Sequence, residues 1–376
     1  MNKKQVRILL APLDWGLGHV TRCVPIMQHI HFLGHQVVFA GNTLQQNYIK
    51  SVFKEVECIN LEGYDVEYTR SKIGLIPKII AQIPRFRKCI KREHQWLQGI
   101  IKNHKIDAVI SDNRYGLYTN QIPCVLMTHQ LQIRSGLSVH LDKILLKLHY
   151  RFIEKFDSCW IVDVAEDNGL SGTLAHPSLL PTIKTEYIGL LSQCSGANAP
   201  KETEGKEIVL ILLSGVEPQR SILSSILWKK AIKSDQHIIY VEGSEAAIKP
   251  AIIPEHISYH KRLSEKELVT AIDAAAYVIC RSGYSTLMDL LAMGKKAILI
   301  PTPGQTEQEY LGTLMHQKKI FMMAKQHKFD IQTSLLNASL FAYRNIAYGN
   351  AFERHKETIE NWIQKLQTKH NHPFED

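Results

Sequence analysis

The chain has 376 residues, 45% hydrophobic and 22% charged, a balance that excludes a disordered chain and suffices for two domains. Its formal net charge of +9 attracts anions without naming them, so nucleotide-sugars, acidic lipid headgroups and nucleic acid all qualify. The seven cysteines are odd in number and form no Cys-x-x-Cys pair, which argues against a zinc site or disulfide framework and for a reducing compartment.

The N-terminus, "MNKKQVRILLAPLDW", carries a short apolar run broken by Pro12 and Asp14, and reads as a first strand rather than a signal peptide. No run approaches the ~18–20 apolar residues of a membrane span. The expected setting is the cytoplasm, with the inner face of the plasma membrane as a possible station. In the first half "VRILLAPL", "HQVVFAG", "VECINLEG", "DAVISDN", "IPCVLMTH" and "CWIVDV" read as strands, each separated from the next by helical or loop patterns. "EIVLILLSG", "HIIYVEG", "ISYHKRL", "YVICRSG" and "KAILIPTP" do the same in the second half.

Near-continuous apolar strands alternating with helices predict parallel sheets covered on both faces. The fold class is therefore α/β, with two doubly wound Rossmann-like domains and an inter-domain cleft. The expected limits are 1–185 for the first domain, 186–206 for a linker rich in Gly, Ser, Asn and Pro, and 207–349 for the second. A last amphipathic helix within 350–376 either caps the second domain or returns to the first.

In open parallel sheets, ligands bind beyond the carboxyl ends of the strands, and five stretches there carry candidate chemistry. In "LDWGLGHVTR", Gly16 and Gly18 allow a tight turn, and His19 opens a helix whose dipole disfavours imidazolium. His19 is thus a candidate general base, or simply a helix-capping residue. In "ISDNRYG", Asp112, Asn113 and Arg114 suit either an acceptor contact or ordinary turn chemistry. In "LLSGVEPQR", Ser214, Gly215 and Arg220 offer a hydroxyl, a backbone N–H and a charge to a diphosphate.

The stretch "CRSGYSTLMDLLAMG" ends a strand in Arg281, Ser282 and Gly283 and starts a helix at Thr286, where free N–H groups hold phosphate. Asp289 follows one turn later, as a ribose acceptor or as half of a Thr-x-x-Asp capping box. In "PTPGQTEQEYLG", Gln308 and Glu309 suit sugar hydroxyls or a solvated first turn. "DVAED" (163–167) is the one cluster of acids, and it reads as a strand end rather than a metal site.

Together these residues resemble the GT-B glycosyltransferases of family 28, which include the UDP-N-acetylglucosamine transferase of peptidoglycan lipid synthesis. The specific match covers about thirty residues, from "CRSGYSTLMDLLAMGKKAILIP" through "QEY". The resemblance implies that Ser282, Gly283, Ser285 and Thr286 line the donor diphosphate and sugar and that Asp289 grips the ribose. It puts Gln308 and Glu309 at the donor sugar, Ser214 and Gly215 at a second phosphate loop, Leu263 beside the uracil, and His19 at the catalytic position. It also makes the first domain the acceptor side and the second the nucleotide-sugar domain. Asp289 stands where the family carries Glu, and Glu309 where it carries Gln, so the donor sugar is not inherited. The implied reaction is inverting transfer from a nucleotide-sugar, UDP-linked, with Arg220 or Arg281 stabilising the leaving diphosphate and with no cofactor or metal.

The acceptor is expected to be a glycan or lipid-linked. From Arg70 to Lys105 ten basic residues face only Glu93, with apolar residues interleaved. That pattern fits an anionic membrane surface, or a core-packed helix with a solvated basic face. The rival functions are a nucleotide-sugar 2-epimerase of the same layout and a non-catalytic nucleotide-sugar sensor. A nucleic-acid partner is not expected, because no recognition module accompanies the basic residues.

Overall fold

The computed structural model describes residues 5–64, 75–136, 138–195, 208–346 and 348–371. The chain divides into two compact units: Met1–Val66, Pro77–Ser192 and Tyr348–Asp376 form the first, Glu67–Ile76 and Gln193–Ala347 the second.

The first unit is built on strands β1 (Arg7–Pro12), β2 (Gln36–Gly41), β3 (Glu57–Asn60), β4 (Ala108–Asp112), β5 (Cys124–Thr128), β6 (Ser158–Ile161) and β7 (Lys184–Tyr187). They form one parallel sheet in the order β3-β2-β1-β4-β5-β6-β7. Its helices are α1 (Gly18–Phe32), α2 (Thr43–Val52), α3 (Leu75–Asn103) and α4 (Val139–Ile153). Strands β1, β4 and β5 are buried almost end to end, as their unbroken apolar runs require in a sheet covered on both faces. β4 sits beside β1 with Pro12 opposite Asp112, so both strands end level. The strand order reverses between them, at the point where a doubly wound sheet opens a crevice.

The second unit repeats the plan with β8 (Ile208–Leu212), β9 (His237–Val241), β10 (Ile257–His260), β11 (Ala275–Cys280), β12 (Ala297–Leu299) and β13 (Met322–Met323). The order is β10-β9-β8-β11-β12-β13, again all parallel. Its helices are α5 (Gln219–Ala231), α6 (Glu265–Ala274), α7 (Tyr284–Ala292), α8 (Thr306–Gln317) and α9 (Ile331–Leu340). Leu212 of β8 lies opposite Cys280 of β11, and the switch point falls between these two strands.

Two strands were not expected from the sequence, and one moves a boundary. β7 reads "KTEY", only half-buried because it closes an edge of the sheet, so its polar residues resembled a linker. It carries the first unit past residue 185 to Ser192, while residues 196–206 of the expected linker lie outside the described residues. β13 is two residues long, too short to give a pattern.

The last helix, α10 (Arg354–Asn371), belongs to the first unit. Ile359, Ile363 and Leu366 recur at helical spacing and are buried. His29 of α1 bonds Glu360 at 3.0 Å, and Trp362 meets Trp160 of β6 edge-on at 5.3 Å between ring centroids. A close approach fixes the chain on its way in. Leu190 N donates to Ala351 O at 2.9 Å, and Gly189, at φ +83°, leaves no room for a Cβ against that carbonyl.

Candidate active site

The level ends of β1 and β4 bring together residues 93 apart in sequence. The loop after β1 turns at Gly16, with φ +83°, and enters α1 at Gly18. His19 therefore sits in the first turn of α1, over the end of β4. Its Nδ1 lies 2.9 Å from Asp112 Oδ2. Arg22, one turn on, donates through Nε to the same oxygen at 2.9 Å and through Nη2 to Oδ1. Its Nη1 lies 2.9 Å from His129 Nδ1, at the end of β5.

The electrostatics assign the tautomer. Burial by itself raises the Asp112 pKa, but Arg22 and His19 outweigh it and hold the carboxyl down at about 2. An ionised carboxylate only accepts, so His19 Nδ1 carries the hydrogen and Nε2 keeps its lone pair. Arg22 Nη2 is also 2.8 Å from that Nδ1, and two donors that close repel. Burial first, then Arg22, keep the His19 pKa below 6.5 against the pull of Asp112. The result is a neutral, oriented imidazole, its side chain 14% exposed, able to take a proton at Nε2.

The rest of that loop does structural work. Arg114 is fully buried and donates to Pro12 O, Glu62 O and Glu93 Oε1 at 2.8, 2.9 and 2.7 Å. It is not an exposed acceptor contact. Asn113 adopts φ +57°, and its buried Oδ1 has no hydrogen-bond partner among the described residues. The acids at 163–167 are no open ligand set either. Both oxygens of Asp163 are taken by Val164 N, Leu170 N, Ser171 N and Ser171 Oγ.

In the second unit, the start of α7 lies at the switch point. Gly283 is its N-cap and makes no side-chain capping bond, so Thr286 is the third residue of the helix and no Thr-x-x-Asp box forms. A helix start without a side-chain cap suits an anion. Ser282 Oγ donates to Gln308 O at 2.8 Å, joining the α7 and α8 motifs into one network. Gln308 Oε1 accepts from Thr302 N and Oγ1 at 3.0 and 2.9 Å, which aims the side chain and leaves Nε2 to donate. Glu309 Oε1 accepts from Gly304 N at 3.0 Å, so this carboxylate also braces the turn before α8. Gly312 keeps α8 close: a Cβ there would lie 2.6 Å from Pro301 and 3.5 Å from Ser282 Oγ.

Asp289 is 8% exposed and accepts from Gln193 Nε2 at 3.1 Å. Ser285 and Thr286 are half-buried in the first turn of α7. Ser214 and Gly215 follow β8, with Gly215 exposed at φ +99° and open space where a Cβ would be. Leu263 is half-buried between β10 and Ser264, the N-cap of α6.

The two arginines expected at the diphosphate are engaged elsewhere. Arg281 is 1% exposed and donates to Ile300 O, Pro301 O, Gln219 O and Gln326 Oε1. Burial lowers its pKa to about 10. Arg220 donates to Glu242 O and pairs with Glu217, whose carboxylate also accepts from Ser221 N and Oγ. That carboxylate covers the start of α5, which leaves the start of α7 as the better anion site in this unit.

Sequence reasoning missed Arg22, His129 and Gln193. Arg22 had a signal, three residues after His19 on the same helix face. Gln193 had none, since it meets Asp289 only through the fold.

Residues 221–372 match the glycosyltransferase family 28 C-terminal domain. An uncharacterized glycosyltransferase of Methanosarcina mazei is 23% identical over 81% of this chain and 82% of its own. The UDP-N-acetylglucosamine–N-acetylmuramyl-(pentapeptide) pyrophosphoryl-undecaprenol N-acetylglucosamine transferase of Pasteurella multocida is 22% identical over 83% of this chain and 81% of its own. Among solved structures, the glycosyltransferase SnogD of Streptomyces nogalater superposes with TM-score 0.62 at 14% identity, covering 96% of this chain and all (100%) of its own. MurG of Acinetobacter baumannii superposes at 0.53 and 11%, covering 97% and 100%. Arabidopsis thaliana UGT89C1, solved with UDP-L-rhamnose, does so at 0.59 and 12%, covering 98% and 95%. These likenesses establish the fold.

Proposed function

We propose that this chain, a GT-B glycosyltransferase whose C-terminal domain is of the family 28 type, transfers a hexose or N-acetylhexosamine from a UDP-linked donor to an acceptor hydroxyl with inversion. The observation that carries the reading is the His19–Asp112 pair at the switch point of the first sheet, with Nε2 unspent. His19 Nε2 takes the hydroxyl proton as the acceptor oxygen bonds to the anomeric carbon. The bond from that carbon to the diphosphate breaks, and UDP leaves with the electron pair. General-base assistance of this kind contributes ~10²–10⁴-fold.

Charge developing on the leaving phosphate meets the N-terminus of α7, an arrangement that needs no metal. Asp289 accepts from the ribose, and Gln308 Nε2 donates to a sugar hydroxyl. The donor is proposed as UDP-linked because the Pasteurella relative is named for UDP-N-acetylglucosamine and the Arabidopsis structure holds UDP-L-rhamnose. The acceptor is a glycan or lipid-linked glycan of the cell envelope, met in the cytoplasm at the inner membrane face. Arg85, Arg87, Lys88 and Lys91 are exposed on α3 and support contact with anionic lipid there, whereas Lys78, Arg70 and Lys72 lie outside the described side chains. Among the described residues no helix is long and apolar enough to cross a membrane.

The deciding experiment incubates the protein and a His19→Ala variant with a nucleotide-sugar panel, with and without EDTA. The reading expects UDP-sugar binding in both, and UDP release in the first alone, unchanged by EDTA. Epimer formation without acceptor, or equal release by both proteins, refutes it.

A further inference from the structure

The first unit contains a cavity that the dyad does not use. It measures about 330 Å³ and lies between the loop leaving β3, residues 60–64, and one face of α3. Cys89, Arg92, Glu93 and Trp96 contribute from α3, at the i, i+3, i+4, i+7 spacing of a single helix face.

The floor is buried and charge-compensated. Glu93 accepts from Tyr64 Oη at 2.6 Å, Gly116 N at 3.1 Å and Arg114 Nη1 at 2.7 Å. The rim is polar and available. Arg92 Nη1 and Glu62 Oε2 are 3.4 Å apart, with side chains 54% and 79% exposed, and Asn60 is exposed beside them. Trp96 supplies a half-buried aromatic wall.

This inventory discriminates between occupants. An aromatic lining residue beside a rim of guanidinium, carboxylate and amide matches a sugar ring, which has a C–H face and hydroxyls that both donate and accept. An anion would meet Glu62, and a hydrocarbon would leave the rim charges desolvated. Small-molecule sites run from ~300 to 1,000 Å³, so this one, at the low end, suits one ring or two rather than a long chain.

The cavity is tied to the base. Tyr64 N donates to Asp14 Oδ1 at 3.1 Å, and any side chain at Gly63 would collide with that carboxylate. Asp14 belongs to the loop that delivers His19. On the other side, Arg114 holds Glu62 O and Glu93 and stands two residues after Asp112.

We propose that this cavity is a subsite for one neutral sugar ring of the acceptor, stacked on Trp96 with its hydroxyls on Arg92, Glu62 and Asn60. The acceptor is then itself a glycoside. The acceptor role rests on the reading of His19 as base; saccharide binding does not.

The test is a TROSY titration of the whole labelled chain with the methyl glycosides of glucose, galactose and N-acetylglucosamine. Glucuronate, phenol and cyclohexanol serve as acidic, aromatic and apolar controls. A neutral glycoside is expected to shift the Trp96 indole and Gly63 signals. Arg92→Gln, Glu62→Gln and Trp96→Leu should each weaken binding about 5–20-fold, and His19→Ala should leave it unchanged. Trp96 also packs on the core, so the two rim variants, at exposed positions, decide if Trp96→Leu unfolds.

No shift with any glycoside at ~50 mM, preference for phenol or cyclohexanol, or full binding in both rim variants overturns the assignment. UDP-sugar turnover on a non-sugar acceptor, with KM unmoved by Arg92→Gln, sinks this inference and leaves the transferase. Glycoside binding without consumption of any nucleotide-sugar does the reverse.

Discussion

Arg22 governs how the His19–Asp112 pair titrates. By holding Asp112 at about 2 and adding to the burial that keeps His19 below 6.5, it leaves the base neutral throughout the physiological range. Transfer is therefore expected to rise with pH through a pKa below 6.5 and then stay level, with no acid limb from Asp112 above about 2; a pH profile of kcat/KM checks this. His19→Ala should lose ~10²–10⁴-fold in kcat while UDP binding is retained. Arg22→Met should be worse for stability than for binding, costing ~3–5 kcal/mol in urea unfolding, because it strands a buried carboxylate. In the second unit, Gln193→Leu removes a hydrogen bond to Asp289 and should raise the donor KM several-fold with kcat little changed. His19 itself was legible, since Gly-x-Gly-His at a strand end is a local pattern. Asp112 was visible only as a polar strand end, because its pairing depends on which strand lies beside β1.

Among the elements, α7 and α5 show how far a motif can be trusted. Both start at the switch-point loops of the second sheet, and both carry a hydroxyl and an arginine in sequence. Only packing distinguishes them: Glu217 folds back over α5, while the N-cap of α7 is a glycine that makes no side-chain capping bond. Eleven strands could be read from their apolar runs, because interior parallel strands have no polar alternation to blur them. β7 and β13 could not, one being half-exposed and the other very short. The seat of α8 gives a sharp test. Gly312→Ala should drive the helix off Pro301 and Met323, costing ~1–3 kcal/mol and weakening UDP-sugar binding through Gln308, measurable by urea unfolding and calorimetry.

Over the whole molecule, the first unit holds the groups that acid attacks. Burial lowers His149 and His355 to about 4. Between pH 6.5 and 4 the unfolded chain therefore binds protons that these folded histidines refuse, so stability is full above 6.5 and falls as pH drops. Thermal unfolding followed by Trp fluorescence should show the midpoint falling across that window, and His355→Leu should flatten the fall.

The helix that contains His355 also sets the order of assembly. Ile359, Ile363 and Leu366 contribute ~1.5–3 kcal/mol each to closing the first unit, and they are translated after all of the second. At ~5–20 residues per second, the ribosome needs on the order of ten seconds to cross residues 193–347. During that interval the half-made first unit exposes the α1 and Trp160 surfaces that α10 will cover. The first unit is closed only after the second has been made, and a nascent chain stalled within the second unit is the form of these two units most in need of a chaperone.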